Sequence, residues 1–192
     1  MKHRCIDKCP HFSTEYYCCK YCGMSAVCKH VCGADPIECG DSIEVYDRKF
    51  ELTSNAPEFV KLPTRKTKGS AGYDFYLPFT ITVPAHGYSE IVPTNVKAYM
   101  PKDEVLFLPI RSSIGLLKGI TLANNTGIID SDYVDNPENE GNIGLRLYNH
   151  TDEPVVLRAG ERIMQGIFIK YQTVDNDITT EERKGGTGST GR

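Results

Sequence analysis

The chain holds no long apolar run, no strong net charge and, beyond residue 39, no cysteine. Each absence excludes something. No apolar stretch approaches the ~20 residues that span a bilayer as a helix. The start, "MKHRCIDKCPHF", has no hydrophobic region and does not read as a secretory signal. The expected compartment is therefore the cytoplasm, where thiols stay reduced. A formal charge of −3 sets up no field that would draw in nucleic acid or an anionic membrane. No amphipathic helical stretch longer than a few turns is visible, and no internal repeat. A length of 192 residues allows one domain, or one with a small appendage.

All eight cysteines are crowded into the first 39 residues: Cys5, Cys9, Cys18, Cys19, Cys22, Cys28, Cys32 and Cys39. The break in composition marks a boundary near Gly40. A segment of ~40 residues rarely folds without a staple. The spacings Cys5-x3-Cys9, Cys19-x2-Cys22 and Cys28-x3-Cys32 suit tetrahedral Zn2+, with His3, His11 and His30 as further donors. Disulfides and free thiols are the alternatives. The adjacent pair Cys18–Cys19 fits one ion poorly. Such a module at residues 1–40 reads as a structural clamp or a docking surface for a protein partner.

From about residue 43 the pattern is β. "FTITV" (79–83), "YSEIV" (88–92) and "EVLFLPI" (104–110) are short β-branched and aromatic runs punctuated by proline and glycine. In "IGLRLYN" (143–149), Ile143, Leu145 and Leu147 share one face. "PVVLRAGERIMQGIFIKY" (154–171) reads as two strands turning at Ala159–Gly160. The expected fold class is all-β, a sandwich or barrel over residues 43–175. The end, "RKGGTGSTGR" (183–192), cannot bury apolar surface. It reads either as a frayed terminus or as a flap whose backbone N–H groups and basic side chains close over phosphate. Residues 176–192 are thus an arm.

Five stretches carry residues that strands alone do not need. "GSAGYDFYLP" (69–78) sets one acid, Asp74, behind small residues, where a glycine turn with an Asp cap is the plain reading. "PIRSSIGL" (109–116) puts two hydroxyls beside an arginine, a small anion site or an exposed turn. Asp130 and Asp132 lie two apart within "NNTGIIDSDYVDNPENEGNIGLRLYN" (124–149), followed by Tyr133 and a long hairpin tip. Gln165 interrupts the apolar "ERIMQGIFI" (161–169). The arm is the fifth.

In order and spacing, "AGYD", "RSSIG", "GIIDSDY", "RIMQ" and "RKGGTGSTG" resemble the five motifs of the trimeric dUTP pyrophosphatase (dUTPase) family. The resemblance covers roughly residues 43–192 and leaves out the cysteine segment. It implies a jelly-roll-like β-barrel, a homotrimer with sites shared between chains, and Mg2+-dependent hydrolysis of dUTP to dUMP and pyrophosphate. It implies that Asp130 activates the attacking water and that Asp74 lies near the Mg2+ through its water shell. Arg111, Ser112, Ser113 and Gln165 would hold the phosphates. Asn124 and Ile129 would border the uracil, and Tyr133 would pack on the deoxyribose. Arg183, Gly186, Thr187, Gly188 and Ser189 would close the lid. Burying one methyl contributes only about 0.8 kcal/mol, so thymine must be refused sterically.

Three departures stand out. Thr187 occupies the usual place of a stacking aromatic, the stretch from Tyr133 to Asn142 is long, and Arg183 sits one residue closer to the double glycine than in the commonest form. An interaction protein gated by nucleotide, with the cysteine segment as contact surface, is the alternative from another class. A dCTP deaminase is the sibling enzyme, disfavoured by the complete "GIIDSDY".

Overall fold

The structure is a computed structural model that describes residues 2–5, 42–45, 48–181, 183, 185 and 186. The chain divides into two compact units, Met1–Asp47 and Arg48–Arg192. In the first, β1 (Lys2–Cys5) pairs antiparallel with β2 (Ser42–Val45). The division thus falls after β2, a few residues beyond the composition break. Of the candidate zinc ligands, Cys5 is described only through its backbone in β1. Cys9, Cys19, Cys22, Cys28 and Cys32 lie outside the described residues.

The second unit is almost entirely β, as the punctuated apolar runs predict. Its strands are β3 (Lys49–Leu52), β4 (Tyr73–Tyr76), β5 (Ile81–Val83), β6 (Val92–Pro93), β7 (Val96–Tyr99), β8 (Glu104–Pro109), β9 (Ile120–Leu122), β10 (Thr126–Asp130), β11 (Gly144–Leu145), β12 (Leu147–Asn149), β13 (Val155–Leu157) and β14 (Arg162–Lys170). A four-stranded antiparallel sheet runs β10-β8-β14-β4. Around it lie the pairs β3-β7, β13-β5, β11-β6 and β12-β9. Many short strands that change partners fit the jelly-roll expectation.

Period-2 patterning explains the core. Along β8, Glu104, Leu106 and Leu108 are buried while their neighbours are half-exposed. Ile143, Leu145 and Leu147 are all buried, as their alternation requires. They join Phe75, Leu77, Val83, Ile120, Leu157 and Met164 in one cluster. Glu104, buried on this face, is neutralised by Arg48. Gly160 turns the chain between β13 and β14 at φ +80, a conformation that favours glycine. "YSEIV" is the exception: only Val92 and Pro93 form a strand there, and Tyr88 makes a single bridge to Tyr148.

Among the described residues one helix, α1 (Ser112–Lys118), is found where the sequence suggested an anion site or a turn. It is two turns long, buries only Ile114 and leaves Leu116 and Leu117 exposed. It stops at Gly119, which is left-handed at φ 62 and donates its N–H to the carbonyl of Ile114. No helix among the described residues is long and apolar enough to cross a membrane.

Candidate active site

Three of the five motifs meet at Asp74. Strand pairing sets Asp74 of β4 opposite Gln165 of β14, ninety-one positions later in the chain. The Gln165 amide donates to Asp74 Oδ1 at 3.3 Å. Arg111, which caps α1, brings Nε to the same oxygen at 3.0 Å. Arg162 Nη1 donates to Oδ2 at 2.9 Å. Asp74 is not a turn cap. It is a buried strand residue, its side chain 4% exposed, held between two guanidiniums. A buried carboxylate requires such partners.

A β-bulge makes this convergence possible. On a regular strand, Arg162 and Gln165 are three apart and face opposite sides. The register of β14 shifts between Arg162 and Met164. Ile163 and Met164 are consequently both buried, and Arg162 and Gln165 both reach Asp74. Gly72 permits the close approach, because a Cβ there would lie 2.9 Å from the Gln165 Cβ. The cluster opens on a cavity of about 600 Å³ lined in part by Thr64, Lys66, Arg111, Ser113 and Arg162. One carboxylate against two guanidiniums leaves a net +1, which suits a phosphate.

Asp130 ends β10, beyond the turn that carries Asn124 and the left-handed Asn125. Both acids of "GIIDSDY" are more than half exposed. Arg183 of the arm lies across them, donating through Nη2 to Asp130 at 2.5 Å and through Nε to Asp132 at 2.7 Å. Its guanidinium stands 5.7 Å from the centre of the Tyr133 ring. The hydrogen bond from Arg183 to Asp132 is the main cause of its raised pKa. Tyr133 is buried. Its hydroxyl accepts from Asn139 Nδ2 at 2.8 Å and donates to the Asn142 carbonyl at 3.2 Å.

The long stretch after Tyr133 is an ordered insert, pinned by charge. Lys97 of β7 donates to Asp135 at 2.7 Å and to Glu140 at 2.8 Å. The Tyr99 hydroxyl also donates to Asp135, and the Glu140 carboxylate accepts from Ser54. Lys97 and then Ser54 lower the Glu140 pKa from 4.5 to about 2. Burial, and then the Asp135 hydrogen bond, raise Tyr99 to about 12. A depressed carboxylate stabilises the fold fully above its unfolded pKa and loses that contribution as pH falls through the folded one. The insert is therefore expected to loosen between pH 4.5 and about 2. Amide exchange across residues 134–141 measures this, and unchanged protection down to pH 2 would contradict it.

Most of the expected site residues fall into two places. Asp74, Arg111, Ser112, Ser113 and Gln165 gather around the β4–β14 pairing and the start of α1. Asn124, Ile129, Asp130, Tyr133, Arg183 and Gly186 gather at β10 and the insert. Thr187, Gly188 and Ser189 lie outside the described residues. Sequence reasoning missed Arg162 as a partner of Asp74 and gave the insert no contact with the arm. No cluster of three or more metal-binding side chains occurs among the described residues. The neighbours of Asp74 are cationic and do not fit Mg2+ held directly by protein side chains.

Comparison with known proteins agrees. A family model described as dUTPase matches residues 58–191. The deoxyuridine 5'-triphosphate nucleotidohydrolase of Lactococcus lactis is 45% identical over 147 residues, 75% of this chain and 97% of that protein. The crystal structure of dUTPase from Streptococcus mutans superposes with a TM-score of 0.62 at 44% identity, over 66% of this chain and 98% of that one. A dUTPase mutant from phage phi11 of S. aureus, described with a structural Mg(II) ion, shares the fold with a TM-score of 0.56 at 20% identity, over 70% and 97% of the two chains. The chain belongs to the dUTPase family.

Proposed function

We infer that the chain hydrolyses dUTP to dUMP and pyrophosphate. The observation that carries this reading is the convergence of Arg111 and Gln165 on Asp74 from three distant motifs, beside a cavity that Asp74 and Arg111 line. Mg2+ carried by the triphosphate would neutralise part of its charge and ease departure of pyrophosphate. Arg111 and Gln165, fixed by Asp74, hold phosphate oxygens together with the hydroxyls of Ser112 and Ser113. Asp130 accepts a proton from water as that oxygen bonds to the α-phosphorus, and the bond to the bridging oxygen of pyrophosphate breaks. Asn124 and the backbone near Ile129 border the uracil, and Tyr133 lies under the deoxyribose. Gly186, Thr187, Gly188 and Ser189 close the lid behind Arg183.

Such a site needs more than one chain. Asp130 is level with Ile169 of β14, two strands away, whereas Asp74 lies beyond β14, opposite Gln165. Three strand spacings across and four residues along put the two acids on the order of 20 Å apart in one subunit. A base so placed cannot serve a phosphate held at Asp74 of the same chain. The homotrimer, with each site drawn from neighbouring subunits, supplies the missing proximity. Pyrophosphate release from Mg2+-dUTP is expected, with dTTP at least about a hundredfold slower. Equal turnover of the two nucleotides, or none of either, would refute the reading.

A further inference from the structure

The insert and the arm touch at a point that the chemistry above does not use. The backbone N–H of Gly186 donates to Glu138 Oε2 at 2.5 Å. Gly185 and Gly186 are both buried. A Cβ on Gly186 would stand 2.9 Å from Asn139 Nδ2, so a larger residue there would have to displace the end of that side chain. Three residues earlier, Arg183 is spread over Asp130 and Asp132 with its side chain only 13% exposed. The seat is itself braced. Asn136 Oδ1 accepts from the N–H groups of Glu138 and Asn139, and the Asn139 amide donates to the Tyr133 hydroxyl.

We propose that Glu138 is a positioning residue that parks the arm in a resting state, with Arg183 covering the general base. Resting on the dUTPase reading, the idea assigns the insert a task in that reaction. While Arg183 donates to Asp130 Oδ2, the guanidinium occupies one side of the carboxylate and competes there with the nucleophilic water. A triphosphate offers the guanidinium a stronger forked partner than two exposed carboxylates do. Transfer of Arg183 from the acids to phosphate then frees the base in the same movement that closes the lid. A nucleotide with fewer phosphates competes less well for Arg183, so the base stays covered. The seat acts against substrate, since the parked fraction of the arm must be released before closure.

Two measurements test this, one of them without nucleotide. In the parked arm the Arg183 side chain is held against the acids and 13% exposed, and should resist trypsin. Glu138→Ala removes the acceptor from an exposed side chain, so folding is unaffected. It should speed release of the peptide that begins at Lys184, followed by mass spectrometry, by about fivefold or more. Glu138→Gln keeps an oxygen acceptor and should fall between the two. In turnover, Glu138→Ala should lower KM for dUTP about threefold to tenfold and leave kcat within twofold. Unchanged cleavage would overturn the proposal. So would a raised KM or a lowered kcat, because the contact would then belong to the closed complex. If the wild-type protein failed to hydrolyse dUTP at all, the cleavage rates would still decide whether Glu138 holds the arm, which separates failure of the seat from failure of the dUTPase reading.

Discussion

Asp130→Asn is expected to cut kcat/KM for dUTP about a thousandfold, in the middle of the range for loss of a general base. The thermal midpoint should move by no more than about 2 °C. The two halves of this result have separate physical sources. An amide has the shape of the carboxylate but cannot take up the proton that the attacking water must shed. Asp130 also sits at the open end of β10 with more than half its side chain in solvent, so its loss leaves no cavity. The ion pair with Arg183 is surrendered, but exposed pairs contribute about 1 kcal/mol at most. Pyrophosphate release gives the first half, and thermal unfolding with a check of oligomeric state gives the second. If turnover fell less than tenfold, Asp130 would not be the base.

The residues that sequence reasoning placed well are those whose roles depend on local pattern. Ile143, Leu145 and Leu147 had to share a face, because alternation along a strand leaves no other choice, and all three are buried. Gly160 had to turn, because its neighbours are strands. What stayed hidden depends on contacts between segments far apart in the chain. Arg162 is the clearest case. Three places before Gln165, it should face the other way on a flat strand, and only the bulge at Ile163–Met164 turns both toward Asp74. A polar residue three apart from another within an apolar strand was the available signal, and it pointed to an irregularity. Helix α1 was invisible for a different reason: with Leu116 and Leu117 exposed, it shows no apolar stripe of helical period. Glu138 gave no signal at all. It lies in a polar, proline-bearing tip that looks like solvent-facing loop, and its contact is with a glycine forty-eight residues later.

Replacing Asp74 should behave differently from replacing Asp130, because at this position structure and site are the same contact. Asp74→Ala removes a buried carboxylate and leaves Arg111 and Arg162 facing each other with no charge between them. Breaking a buried ion pair from one side destabilises by about 3–5 kcal/mol. Arg162 keeps a third of its surface in water, so a loss of about 2–4 kcal/mol is the better expectation. For a chain of this length that lowers the thermal midpoint by roughly 5–15 °C. Activity should fall as well, since Arg111 and Gln165 lose the anchor that aims them at phosphate. The conservative variant separates the two effects. Asp74→Asn still offers Arg111 or Arg162 a carbonyl oxygen but cannot balance their charge, so it should recover part of the stability and little of the activity. A midpoint within about 1 °C of the parent for both variants would mean that the two guanidiniums are solvated well enough without Asp74. In that case the cationic cavity would not depend on its buried acid, and the case for a phosphate site preorganised around it would fail.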